Sequence, residues 1–130
     1  MRNRLVGDIE TDGFLDACTQ IHCIVLYDLD TDEYLRFNSL PVGERAEGTG
    51  SIQVAIDLMN GADELYFHYG HGFDYPAILK LHPDFNPKRG SMFDTVDMSK
   101  ALYRDIEFTD IDRIKKKRYP AEFDNKMIGS

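Results

Sequence analysis

Near its N-terminus the chain reads Leu5-Val6-Gly7-Asp8-Ile9-Glu10-Thr11, a run that predicts a β-strand. Side chains alternate between the two faces of a strand, so Asp8 and Glu10 share one face while Ile9 points to the other. Two neighbouring carboxylates repel each other and are costly to desolvate, and a divalent cation between them removes both costs. The alternative is an exposed strand end whose acids face water, and this stretch alone leaves both interpretations open.

Length and composition predict one globular domain. A chain of 130 residues can build a single core, and its hydrophobic (42%) and charged (29%) fractions are typical of soluble proteins rather than of a membrane protein. The longest apolar runs are far too short to span a bilayer, and residues 1–4 lack the apolar segment of a signal peptide. We therefore expect a cytoplasmic protein with no membrane partner.

The net charge of -8 argues against a protein that coats nucleic acid through positive charge alone. It does not exclude a nucleic-acid enzyme, because cations held by carboxylates invert the local charge and bind phosphate. Cys18 and Cys23 flank His22, but no second pair of ligands at zinc spacing follows. Cys23 lies in an apolar run, which predicts a buried, reduced thiol.

The order of predicted elements indicates a mixed α/β sheet covered by helices. Alternation and β-formers predict strands over 5–11, 21–27, 33–37, 64–68 and 91–93, and the first three form antiparallel pairs. Helices are predicted after the cap Ser51 and over 75–81 and 95–103, while 39–50 is expected to be a mobile surface connection. We expect a core over 1–104 and a charged, mobile tail over 105–130.

A second motif joins the fourth predicted strand to the second helix, and it reads Phe67-His68-Tyr69-Gly70-His71-Gly72-Phe73-Asp74-Tyr75-Pro76. It places another carboxylate, Asp74, at a helix start beside glycines that permit close approach of a ligand. An N-cap role for Asp74 is the structural alternative. In sheets of this class, functional groups gather where strands end and the adjoining helices begin, so a functional residue is expected in this segment.

Taken together, Asp8-Ile9-Glu10-Thr11 and the 68–74 segment resemble the first two motifs of the DEDD 3'-5' exonucleases. More closely, the chain resembles the N-terminal proofreading domain of the family A DNA polymerases of short-tailed phages. In that family the acidic strand, a hairpin, a His-Asn-Gly-His-x-Tyr-Asp motif followed by Pro-Ala-Leu, and an Asp-Thr pair occur in this order. Here the last two features are Pro76-Ala77-Ile78 and Asp94-Thr95. The resemblance covers essentially the whole chain.

The resemblance implies a ribonuclease H-like fold and hydrolysis of single-stranded DNA from its 3' end during DNA replication, in the cytoplasm of the host if a phage encodes the chain. Asp8 would then bridge two Mg²⁺ or Mn²⁺ ions, Glu10 would help to hold one, and Asp74 would serve the second. Hard oxygen ligands suit these cations, which activate a water molecule and stabilise the leaving 3' oxygen. Thr11 and the ring of His71 match positions that touch the terminal nucleotide.

Two departures from the family pattern stand out. Tyr69 occupies the position where Asn is common, which puts one substrate hydrogen bond in doubt. The third motif, with a fourth carboxylate in a Tyr-x-x-x-Asp or His-x-x-x-x-Asp arrangement, is missing. Tyr119 and Asp124 are five residues apart, and Pro120 between them disfavours a continuous helix. We therefore expect a truncated or split chain that needs a downstream polymerase portion, in cis or in trans.

Three interpretations of function remain open at this point. The first is a 3'-5' exonuclease module that is incomplete in this chain. The second is a non-catalytic fragment of the same fold that binds DNA or a polymerase. The third is another ribonuclease H-like nuclease that acts on RNA or on junctions, because a fold alone does not determine the substrate.

Overall fold

The computed structural model describes residues 2–102 of the chain. The chain divides into two units, residues 1–94 and residues 95–130, and the first contains all the strands that are described here. The predicted charged tail over 105–130 lies outside the described residues, so that prediction stays a prediction. Among the residues that the structure describes, every helix is too short or too polar to cross a membrane.

Six strands form one mixed sheet in the order β4-β3-β2-β1-β5-β6. Only β2 runs against its neighbours, since β1 pairs with β5 in parallel, β5 with β6 in parallel and β3 with β4 in parallel. The strand bounds are β1 Arg4–Thr11, β2 Ile21–Asp28, β3 Glu33–Asn38, β4 Thr49–Ser51, β5 Glu64–Phe67 and β6 Met92–Asp94. The carboxyl ends of five strands therefore meet at one edge of the sheet.

The helices of the first unit are α1, Ile52–Gly61, and α2, Tyr75–Leu81. Ser51 caps α1, because its hydroxyl accepts a hydrogen bond from the amide of Val54 at 3.3 Å. Helix α1 packs on β2, β3 and β4. The helices and one face of the sheet share a core that includes Leu5, Ile9, Ile24, Leu26, Ile56, Met59, Leu65, Phe67, Ile78 and Phe85. In the second unit, α3 spans Thr95–Leu102.

The predicted class, a mixed α/β sheet with helices and a ribonuclease H-like order of elements, is confirmed. Most residues of the predicted surface connection over 39–50 are exposed, and its mobility stays a prediction, but the segment also contains regular structure. A 3-10 turn, Val42–Glu44, and strand β4 occupy part of it, and β4 is too short to show any alternation. Cys23 is half-buried rather than buried, because it lies on the less covered face of β2, whereas Cys18 belongs to the core.

Candidate active site

The acidic strand is built as its alternation predicts. Ile9 is buried, with 5% of its surface exposed, while Asp8 and Glu10 on the opposite face are exposed. The register between β1 and β2 shifts at Glu10/Thr11, which marks a bulge where β1 leaves the sheet. Bulges re-aim side chains near functional sites. The two carboxylates thus stand on one face, close to the edge where the parallel strands end.

A tight turn connects β5 to α2 and delivers Asp74 to the same edge. Tyr69 adopts a left-handed conformation with φ 58°, and Gly70–Asp74 forms a single π-helical turn. A Cβ atom at Gly70 would lie 2.7 Å from the Cβ of Phe67, so this position requires glycine. Turns of this kind are frequent at functional sites, and this one places Asp74 directly before α2.

Asp74 is buried, with 6% of its surface exposed, although it carries an ionisable carboxyl group. Burial, followed by the neighbouring negative charge of Asp8, raises the pKa of Asp74 to about 7, although a hydrogen bond from the backbone of Ile9 works against this rise. Asp74 occupies the N-cap position of α2, but its side chain makes no capping hydrogen bond and its backbone is helical. The structure therefore does not support the N-cap alternative.

Asp94 is a buried carboxylate that our sequence analysis did not place at the site. One of its oxygens accepts the amide of Tyr69 at 3.1 Å, and the other accepts the amide of His71 at 2.9 Å. Its negative charge also contributes to the raised pKa of Asp74. The sequence showed Asp94 only as part of the Asp94-Thr95 pair, because its amide partners lie 23 and 25 residues away.

The two residues predicted to touch nucleic acid lie in different surroundings. The hydroxyl of Thr11 donates to the carbonyl of Gly13 at 2.7 Å, so this hydroxyl can only accept a hydrogen bond from a ligand. The ring of His71 packs edge-on against Tyr75, its Nδ1 lies 3.7 Å from Asp94 Oδ2, and it lines a separate, mainly apolar pocket of about 450 Å³. Their contact with a nucleotide stays a prediction.

A second feature that our sequence analysis missed is a pocket of about 350 Å³ beside the acidic strand. It is lined by Ile9, Glu10, Thr11, Gly13, Phe14 and Phe73. Phe14 is 84% exposed. Its loop is closed by hydrogen bonds, because Asp12 Oδ1 accepts from the amides of Thr19 at 2.7 Å and Gln20 at 3.1 Å. The sequence shows Phe14 as an aromatic residue shortly after the acidic strand. It does not show that the ring is exposed.

The residue types of the three predicted ligands suit a hard divalent cation. Asp8, Glu10 and Asp74 offer only carboxylate oxygens, the ligands that Mg²⁺ and Mn²⁺ prefer. Burial and, after it, the negative charge of Asp8 raise the pKa of Asp74, and a bound cation would offset both effects. Burial distinguishes Asp74 from Asp8 and Glu10, which are exposed.

Comparison with known proteins relates the chain to phage DNA polymerases and to a nuclease superfamily. The chain is 27% identical, over 123 residues, to the DNA-directed DNA polymerases of Escherichia phage T7 and of Enterobacteria phage T3. These alignments cover 91% of this chain and 17% of each relative, so the chain spans about a sixth of the length of those proteins. They confirm the resemblance to phage polymerases. A family model described as RNase_H superfamily matches residues 5–119, and the chain belongs to that superfamily.

Proposed function

We propose that this domain is a 3'-5' exonuclease that hydrolyses single-stranded DNA ends with two divalent cations and proofreads for a phage-type DNA polymerase. The observation that carries the proposal is that the carboxylate of Asp74 is buried near the charge of Asp8, at the edge of the sheet where Asp8 and Glu10 stand. Membership of the RNase_H superfamily and the similarity to two phage polymerases support a nuclease in a polymerase context.

Asp8, Glu10 and Asp74 would hold the cations through their carboxylate oxygens. Bound Mg²⁺ or Mn²⁺ would supply an activated water molecule and would stabilise the charge on the leaving oxygen. The residues around the site contribute rigidity. Ile9 is anchored in the core between the two exposed acids, and the turn before α2 fixes Asp74 at the end of a short, packed segment.

The pocket beside Glu10 would take the terminal nucleotides of the DNA strand. Phe14 and Phe73 offer aromatic faces on which bases of any sequence can stack, and such stacking contributes about 1–3 kcal/mol per base. Because the Phe14 loop is closed by Asp12, the ring is presented on a restrained loop rather than on a free one. Thr11 would accept a hydrogen bond from the 3' hydroxyl of the terminal sugar.

A second candidate function is a non-catalytic module that binds DNA or a polymerase. The apolar lining of the Phe14 pocket favours binding by itself, without turnover. The two proposals differ in what they require of Asp74. Binding through stacked bases needs no carboxylate at position 74, whereas the proposed metal-dependent hydrolysis uses this carboxylate as a ligand.

The test is a nuclease assay on single-stranded DNA that is labelled at its 5' end, with Mn²⁺ and with EDTA. It is run with the chain alone and with a downstream polymerase fragment added, which is the partner that we propose for this domain. An exonuclease produces a ladder that shortens from the 3' end with Mn²⁺ and is absent with EDTA. A 3'-phosphorylated substrate should be degraded more slowly.

Three variants make the assay decisive. Asp8→Asn and Asp74→Asn should each abolish the ladder, while Glu33→Gln, which removes an exposed carboxylate at the opposite end of the sheet, should leave it unchanged. DNA binding without any Mn²⁺-dependent ladder, with or without the polymerase fragment, would favour the non-catalytic module. A ladder that survives in Asp8→Asn would show that the activity comes from elsewhere.

A further inference from the structure

We infer that Asp94 is a positioning residue, which holds the turn before α2 in the shape that delivers Asp74 to the metal ions. This inference rests on the proposed function and extends it to a residue outside the three proposed ligands. It rests on two hydrogen bonds. The two carboxylate oxygens of Asp94 accept hydrogen bonds from the backbone amides of Tyr69, at 3.1 Å, and His71, at 2.9 Å.

The contact joins the end of strand β6 to the turn that follows the neighbouring strand β5. Asp94 ends β6 and lies beside Phe67, the last residue of the parallel strand β5. From this place its side chain, which is 2% exposed, reaches the first residues of the turn that leaves β5. A buried carboxylate is costly unless hydrogen bonds satisfy it, and the two amides do so.

The turn needs such a partner for two reasons. Amide groups at the start of a helical turn have no partner within the turn, and a carboxylate there accepts them and complements the local dipole. Tyr69 is also held at φ 58°, a conformation that costs of order 1 kcal/mol or more for a residue other than glycine. The contacts to Asp94 offset this cost and keep the turn in one conformation.

Asp74 lies close along the chain to the two residues that Asp94 restrains. Only Gly72 and Phe73 separate His71 from Asp74, and the amide of Phe73 donates to the carbonyl of Tyr69 at 3.1 Å. On the far side, the hydroxyl of Tyr75 donates to the carbonyl of Phe93 at 2.8 Å and lies 3.2 Å from the carbonyl of Leu65. Asp74 is thus held between two anchors, and loosening one of them changes where its carboxylate points.

The test uses Asp94→Asn. The amide side chain offers one acceptor oxygen instead of two, so one of the two backbone amides loses its partner while the size of the side chain is kept. In the folded variant we expect the dissociation constant for Mn²⁺, measured by electron paramagnetic resonance of free Mn²⁺, to rise about 10- to 100-fold. Hydrogen exchange at Tyr69 and His71 in the metal-free protein should become faster.

Asp63→Asn is the matched control. Asp63 is also a carboxylate that accepts a backbone amide, that of Asn3 at 2.8 Å, but it precedes β5 at the end remote from the turn. This variant should keep the Mn²⁺ affinity of the wild type and its exchange rates at Tyr69 and His71, even where it loses as much stability. An Asp94→Asn protein that folds and binds Mn²⁺ like the control would overturn the inference.

If Asp94→Asn does not fold, nuclear magnetic resonance of the wild-type protein can still test the inference. Scalar coupling across hydrogen bonds should join the amide nitrogens of Tyr69 and His71 to the carboxyl carbon of Asp94, and absence of both couplings would refute the inference. Failure of the proposed function gives a different result from failure of the positioning role. Wild-type protein that binds no Mn²⁺ refutes the metal site, whereas a metal site that is indifferent to Asp94 refutes only the positioning role.

Discussion

Replacing Asp74 by Asn should stabilise the metal-free protein at alkaline pH. The carboxyl of Asp74 has a pKa of about 7 in the folded chain, against an ordinary value of 3.8, because it is buried and lies near the charge of Asp8. The folded state therefore binds this proton more tightly than the unfolded state does. The stabilising contribution of the proton is fully present below pH 3.8 and is lost as the pH rises through 7.

The size of the effect follows from the two pKa values. The linkage relation gives a loss of at most about 4 kcal/mol above pH 7, of which about 3 kcal/mol falls between pH 5 and pH 8. The amide side chain of the Asp74→Asn protein never ionises and can still accept from the backbone of Ile9. The difference in the free energy of unfolding between variant and wild type should therefore grow by about 3 kcal/mol, in favour of the variant, from pH 5 to pH 8.

Urea denaturation in EDTA at pH 5, 6, 7 and 8 measures this difference, and all groups that titrate alike in both proteins cancel. Asp63→Asn is the control, since Lys88 and the amide of Asn3 hold the pKa of Asp63 below its ordinary value. Its difference from the wild type should stay constant over this range. A constant difference for Asp74→Asn as well would refute the argument, because Asp74 would then have an ordinary pKa and no close negative neighbour.

Two further variants test the anchor beside Asp74 and the stacking pocket. Tyr75→Phe removes the hydroxyl that contacts the carbonyls of Leu65 and Phe93. It should lower the free energy of unfolding, measured by urea denaturation, by about 1 to 3 kcal/mol. An unchanged value would mean that water replaces the hydroxyl. Phe14→Ala should weaken binding of an oligothymidylate about 5- to 100-fold in fluorescence anisotropy without loss of stability, since the ring is 84% exposed. The exposed Val42→Ala is its control, and equal affinities would remove Phe14 from the site.

The fold was largely predictable because its signals are local. Alternation over 5–11 assigned Asp8 and Glu10 to one face, and Ser51 caps α1 as its residue type predicts. Strand β4 was not predictable, since Thr49–Ser51 has only three residues, one of them glycine, and its pairing with β3 is a tertiary effect.

The proposed ligands of the candidate site came from the sequence and stay a prediction, whereas the contacts that support them could not be predicted. The alternation of β1 drew attention to Asp8 and Glu10, and the resemblance to a family of exonucleases added Asp74 to the proposed set. The contacts from Asp94 to the turn are long-range, and no spacing rule predicts them. The same holds for the ring of Phe14, because its exposure depends on how Asp12 closes the surrounding loop.

The most direct test of the central claim is a Mn²⁺ titration of the purified chain at pH 8, followed by electron paramagnetic resonance and by thermal melting. We expect saturable binding and a melting temperature that rises with millimolar Mn²⁺, because a ligand that binds only the folded state stabilises it. Asp8→Ala and Asp74→Asn should lose most of both effects, and Glu33→Gln should keep them. Equal Mn²⁺ binding by Asp8→Ala and the wild type would contradict the claim that these carboxylates form a metal site.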